Sequence, residues 1–150
     1  MDKLNEIFDF IIEWEIATED EIQLVTKING WNEESLNDII YVKTGYRDMD
    51  QIKMKSDNGN YVPNQVIFEK GTEWSRFYSY GVLIVEVKSI DGGEQVYLDI
   101  ANWKYSRTTI KYRNKFLGED SKTIESKVKS NKYKLADLTS KSRSTFGIYR

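Results

Sequence analysis

The sequence predicts an α+β fold: an N-terminal bundle of short helices, a small antiparallel β-sheet built on a hairpin over residues 82–100, and C-terminal basic helices. Three observations predict it. Apolar residues in the first third recur every three or four positions. Those in the middle alternate on both sides of Asp91-Gly92-Gly93. Beyond Asn102 helical spacing returns, with Lys and Arg gathered on one face.

The elements follow in order. Leu4, Ile7, Phe8, Ile11 and Trp14 form one helix face. Thr18 caps the next helix and Glu21, three residues on, returns the capping-box bond. Leu24, Val25 and Ile28 give that helix a buried face, and Gly30 ends it. Asn32 caps a third helix carrying Leu36, Ile39 and Ile40, which Gly45 ends, and Asp48 starts a turn through Ile52. "SDNGNYVPN", Ser56 to Asn64, concentrates turn-formers and holds the only proline, so it marks an internal boundary. This divides the chain into an acidic helical subdomain, 1–55, and a hairpin plus basic helical subdomain, 61–150, which can also pack as one domain. "QVIFE" and "SRFYSY" carry strand signals, and Val82–Lys88 with Gln95–Ile100 form the hairpin. Ser106 as N-cap and Gly118 past the C-terminus bracket a helix over Arg107–Leu117. On it Arg107, Lys111 and Lys115 fall on one side, opposite Ile110, Tyr112, Phe116 and Leu117.

Composition excludes much chemistry. The chain has no cysteine and no histidine, which removes disulfides, thiolate metal sites, cysteine nucleophiles and histidine-dependent triads. The absence of cysteine fits a reducing, cytoplasmic setting. No apolar run approaches the roughly 18 residues of a membrane span, and acids interrupt the apolar start, so neither a transmembrane helix nor a signal peptide is expected. No cofactor is expected.

The net charge of −2 is unevenly spread: residues 1–50 carry −9, residues 51–100 carry −2, and residues 101–150 carry +9. This asymmetry points to electrostatic partners, or to two ends that neutralise each other. Two helices around "INGWN" resemble a helix-turn-helix in outline, but Glu33, Glu34 and Asp38 would repel phosphates from the second helix. An acidic protein-contact surface of Glu19, Asp20, Glu21, Glu33, Glu34 and Asp38 is the functional reading, against a plain solvated face. The basic stripe of Lys104, Arg107, Lys111 and Lys115 could meet nucleic acid or a partner. A second basic run, Lys122 to Lys134, adds Lys127, Lys129 and Lys132.

Three motifs carry weaker catalytic or metal readings. Glu86 and Lys88 have the E-x-K spacing of restriction-type nucleases, but Asn64 stands where an aspartate should follow proline, leaving Glu69 and Glu73 as substitutes. The pair is equally an ordinary one on the exposed side of a hairpin. Asp48 and Asp50 could hold Mg²⁺ or simply cap a turn. "FGIYR" at residues 146–150 is similar to half of the GIY-YIG nuclease motif and lacks its other half. No metal site and no enzymatic activity are expected.

The run "VYLDIANWKYSRTTIKYRNKFLG" resembles a module of small phage and mobile-element proteins of low-GC Gram-positive bacteria, matching at Trp103, Tyr105, Ser106, Thr108, Thr109, Lys111, Tyr112, Phe116, Leu117 and Gly118. "ATEDEIQLVTKINGWNEESLNDIIYVKTGYRD" resembles a helical segment from the same setting. The resemblance implies a stoichiometric inhibitor of host defence, of the anti-CRISPR kind, whose partner is an RNA-guided nuclease in the bacterial cytoplasm. In that case the acidic surface acts as a nucleic-acid mimic in a basic channel. The alternative is a small nucleic-acid-binding protein that uses the basic stripe.

Overall fold

The computed structural model describes residues 2–139, which divide into two compact units, 2–52 and 53–139. The first is helical: α1 (Lys3–Glu13), α2 (Glu19–Asn29), α3 (Glu33–Thr44) and the single turn α4 (Met49–Ile52). Local chemistry sets the ends of these helices. The side chains of Asp2, Thr18 and Asn32 accept from the backbone N–H groups of Asn5, Glu21 and Ser35, and Thr18 with Glu21 completes the capping box. Gly45 ends α3 in the left-handed conformation, at φ 83°. Helix α3 packs against both α1 and α2. Ile7, Ile11, Trp14, Ile22, Leu36 and Ile40 are buried, each worth about 1.5–3 kcal/mol of removal from water.

The expected buried face of α2 is corrected here. Only Ile22 is buried along that helix, while Leu24 and Ile28 are 63% and 72% exposed. Residues 24 and 28 lie roughly 200–240° around the helix from Ile22, and a helix covered along one side can bury only one such arc.

The second unit holds a six-stranded sheet in the order β1 (Lys53–Lys55), β2 (Tyr61–Lys70), β3 (Trp74–Ser79), β4 (Val82–Ile90), β5 (Gly93–Asp99) and β6 (Lys134–Ala136). The fold is α+β. Strands β1 to β5 form an antiparallel meander, and the β4–β5 pair is the expected hairpin. Residues 53–55, assigned from sequence to the helical part, are an edge strand. The turn at Ser56–Asn60 is therefore a connection within the sheet rather than a linker. At the β3–β4 turn Tyr80 and Gly81 both take positive φ, 51° and 80°, as a two-residue hairpin turn requires.

The sheet is not wholly antiparallel. Strand β6 runs parallel to β5, and α5 (Arg107–Leu117) and α6 (Ser121–Lys129) make the crossover that parallel pairing needs. The basic run from Lys122 to Lys134 is accordingly helix, turn and strand in succession. Phe77, Val85, Leu98, Tyr112 and Ile124 form the buried centre between the sheet and these helices, and Phe116 stacks on Phe77 at 5.9 Å. The other side of the pleat carries Val66, Phe68, Trp74, Arg76, Tyr78 and Glu86, all buried.

Candidate functional site

The acidic residues separate into two kinds. Glu21 is structural: it accepts from the Thr18 N–H at 2.9 Å and pairs with Lys43 of α3. The Lys43 ammonium and the Thr18 backbone together hold its carboxyl down at about 2. Glu19, Asp20, Glu33, Glu34 and Asp38 are exposed and have no ion-pair partner among the described residues. The Glu21–Lys43 bridge ties the start of α2 to the end of α3, so these helices run antiparallel. Glu19 and Asp20 therefore sit at one end of the hairpin and Glu33 and Glu34 at the other.

Between the two helices lies a groove of about 360 Å³, lined by Leu24, Val25, Ile39 and Val42 with Glu21, Asn29, Asp38 and Lys43. Val42 is 75% exposed. Sequence reasoning missed this groove because it placed Leu24, Val25 and Ile28 inside. The signal that could have shown it is that the apolar residues of α2 span more of the helix circumference than one buried arc.

The basic stripe is present but internally occupied. Lys111 and Lys115 both reach Asp57, at 3.4 and 3.3 Å, and Lys115 also donates to the Lys55 carbonyl. The hydrogen bond from Lys115, then the charge of Lys111, hold the Asp57 carboxyl below its ordinary value. Lys104 pairs with Glu125 at 2.7 Å and thereby lowers that carboxyl too. Arg107 alone of the four has no ion pair among the described residues. Lys127 is drawn into a cluster with Glu119 and Tyr133. Burial pushes the Glu119 carboxyl up, but the bonds from Lys127 and Tyr133 outweigh it and leave it low.

One arginine in this region carries structure instead. Arg113 is 1% exposed and donates to the Trp103 carbonyl at 2.8 Å, to Asn114 Oδ1 and to Ser121 Oγ. Burial lowers its pKa from the ordinary guanidinium value. It fastens the loop before α5 to the start of α6. Trp103, which packs against the core, is half-buried, whereas Tyr105 is 66% exposed beside Tyr80.

Glu86 is not on an exposed hairpin face. It is fully buried and accepts from Arg76 Nε at 2.7 Å, directly across the β3–β4 ladder, with Lys88 at 3.9 Å. The Arg76 guanidinium lies 3.7 Å over the Trp74 ring. This carboxylate already serves an arginine and faces no solvent. Asp48 caps the α4 turn by accepting from the Gln51 N–H, and Asp50 pairs with Lys3. Among the described residues no three of His, Cys, Asp and Glu are grouped to hold a metal ion, and no helix is long and apolar enough to cross a membrane. The "FGIYR" stretch lies outside the described residues.

One comparison places the chain. The model of a family of unknown function, DUF8033, matches residues 48–132, more than half of its length. The chain belongs to DUF8033. No curated protein and no solved structure matches it. The DUF8033 span takes in β1 to β5, α5 and α6, and with them the Arg76–Glu86 pair, Asp57 and the whole basic stripe. Helices α1 to α3, with the free carboxylates and the groove, precede the DUF8033 span.

Proposed function

We propose that this protein is a non-enzymatic, stoichiometric inhibitor of a bacterial defence nuclease, acting in the cytoplasm, with its acidic helical unit as the contact surface. The observation that carries this reading is the set of exposed carboxylates without counter-ions among the described residues: Glu19, Asp20, Glu33, Glu34 and Asp38. Carboxylates left unneutralised on one small unit attract a cationic surface and raise its rate of encounter. RNA-guided nucleases present such a surface, the basic channel that holds the guide–target duplex. An acidic unit lodged there would exclude nucleic acid. The phage-protein resemblance supplies the biological setting.

The test is inhibition of purified RNA-guided nucleases by wild type and by the variant Glu19→Lys, Asp20→Lys, Glu33→Lys, Glu34→Lys and Asp38→Lys. Inhibition by wild type at one-to-one stoichiometry, abolished in the variant, supports the reading. Inhibition that survives the reversal sinks it.

A second reading, nucleic-acid binding by the stripe, is favoured by one observation: Asp57 holds the Lys111 and Lys115 ammonium groups side by side on the solvent-facing side of α5. Asp57→Asn would then free two cations, tightening binding to duplex DNA and steepening its salt slope by up to about 2 units, at roughly 0.9 per phosphate contact. An unchanged slope removes this alternative.

A further inference from the structure

We infer that the groove between α2 and α3 receives one amphipathic helix of a protein partner, rich in Lys or Arg on its polar face. This rests on the reading of the acidic unit as the contact face and names what that face grips. Single exposed aliphatics are ordinary on a protein surface. Here Leu24 and Val42, 63% and 75% exposed, line the groove on two adjoining helices together with Val25 and Ile39, and Ile28, 72% exposed, follows Leu24 one turn along α2. A contiguous apolar strip of this kind, rimmed by charge, marks a docking surface.

Shape and charge choose the occupant. A trough between two antiparallel helices accepts the ridge of a third helix, whose apolar stripe falls at three- and four-residue spacing. Carboxylates stand at both ends of the trough, and Asp38 lines its wall. Of the lysines on these helices, Lys43 is neutralised by Glu21, which leaves Lys27 on the last turn of α2 as the opposing charge. The surround is thus net acidic, and it complements a basic helix. A second copy of the acidic unit would bring carboxylates against carboxylates, and nucleic acid would meet the same repulsion over an apolar floor.

The experiment uses the full chain and a fluorescent Lys/Leu peptide patterned as an amphipathic helix, with a scrambled peptide of the same composition as control. Titration by anisotropy should show the patterned peptide binding at least about tenfold more tightly than the scrambled one. The variant Leu24→Ser, Ile28→Ser and Val42→Ser should lose about tenfold or more, since each side chain forfeits its burial. Asp38→Lys should weaken binding and flatten its salt dependence. All four side chains are exposed, so circular dichroism should be unchanged.

Equal binding of the two peptides, no binding of either, or full binding by the serine variant each overturns the groove. So does a wild-type dimer in sedimentation that the serine variant loses, because the occupant would then be a second copy. The two proposals fail separately. Groove-dependent peptide binding without inhibition of any nuclease sinks the target and keeps the groove. Inhibition that needs the carboxylates but not Leu24, Ile28 and Val42 sinks the groove and keeps the inhibitor.

Discussion

Truncating Glu86 to alanine tests whether the E-x-K spacing is structural. The carboxylate and the Arg76 guanidinium meet at 2.7 Å, with side-chain exposures of 0% and 7%. At an effective dielectric near 20 their attraction is about 6 kcal/mol, and it is opposed by a desolvation cost of several kcal/mol for each ion. The pair therefore adds little net stability, but breaking it leaves a buried guanidinium without the carboxylate that faces it across the ladder. Glu86→Ala should cost about 3–5 kcal/mol. At roughly 2–4 °C per kcal/mol for a chain of this size, the melting temperature should fall by about 6–20 °C. Urea unfolding followed by circular dichroism and by tryptophan fluorescence reads the loss directly. The double variant Arg76→Met, Glu86→Leu should recover most of it, because both charges leave together and apolar groups fill their space. A loss below about 1 kcal/mol in Glu86→Ala, or a double variant no better than the single, would refute the reasoning.

Two further outcomes follow from the same physics. Arg113→Ala should destabilise by about 3 kcal/mol, because the Trp103 carbonyl and the Asn114 and Ser121 side chains lose a buried donor, and Arg113→Lys should recover only part of it; equal stability of the lysine variant in urea would show that charge alone matters. Glu21 has a folded pKa of about 2, below its ordinary 4.5, so the stability it contributes is fully present above about pH 4.5 and is lost as pH falls toward 2. After allowance for its exposed side chain this amounts to about 1 kcal/mol, and the difference in stability between wild type and Glu21→Gln should shrink over that acid window.

What the sequence determined by itself are the features whose causes lie within a few residues. The Thr18–Glu21 box, the Asn32 and Ser106 caps and the left-handed Gly118 after α5 are three-residue geometries, and each stands in the structure where local chemistry put it. The hairpin about Asp91-Gly92-Gly93 is of the same kind. Tertiary structure decided what the charged residues do. Asp57, more than fifty residues before Lys111 and Lys115, occupies the stripe; Arg76 turns Glu86 from a surface carboxylate into a buried one; Trp103 and Ser121 take Arg113 inside. Strands β1 and β6 are three residues each, too short to show alternation, and they exist only through their neighbours. Helix α2 shows the division most plainly. Helical periodicity fixes that Leu24 and Ile28 lie near one another, but only the position of α3 decides whether their side meets protein or water, and it leaves them to water.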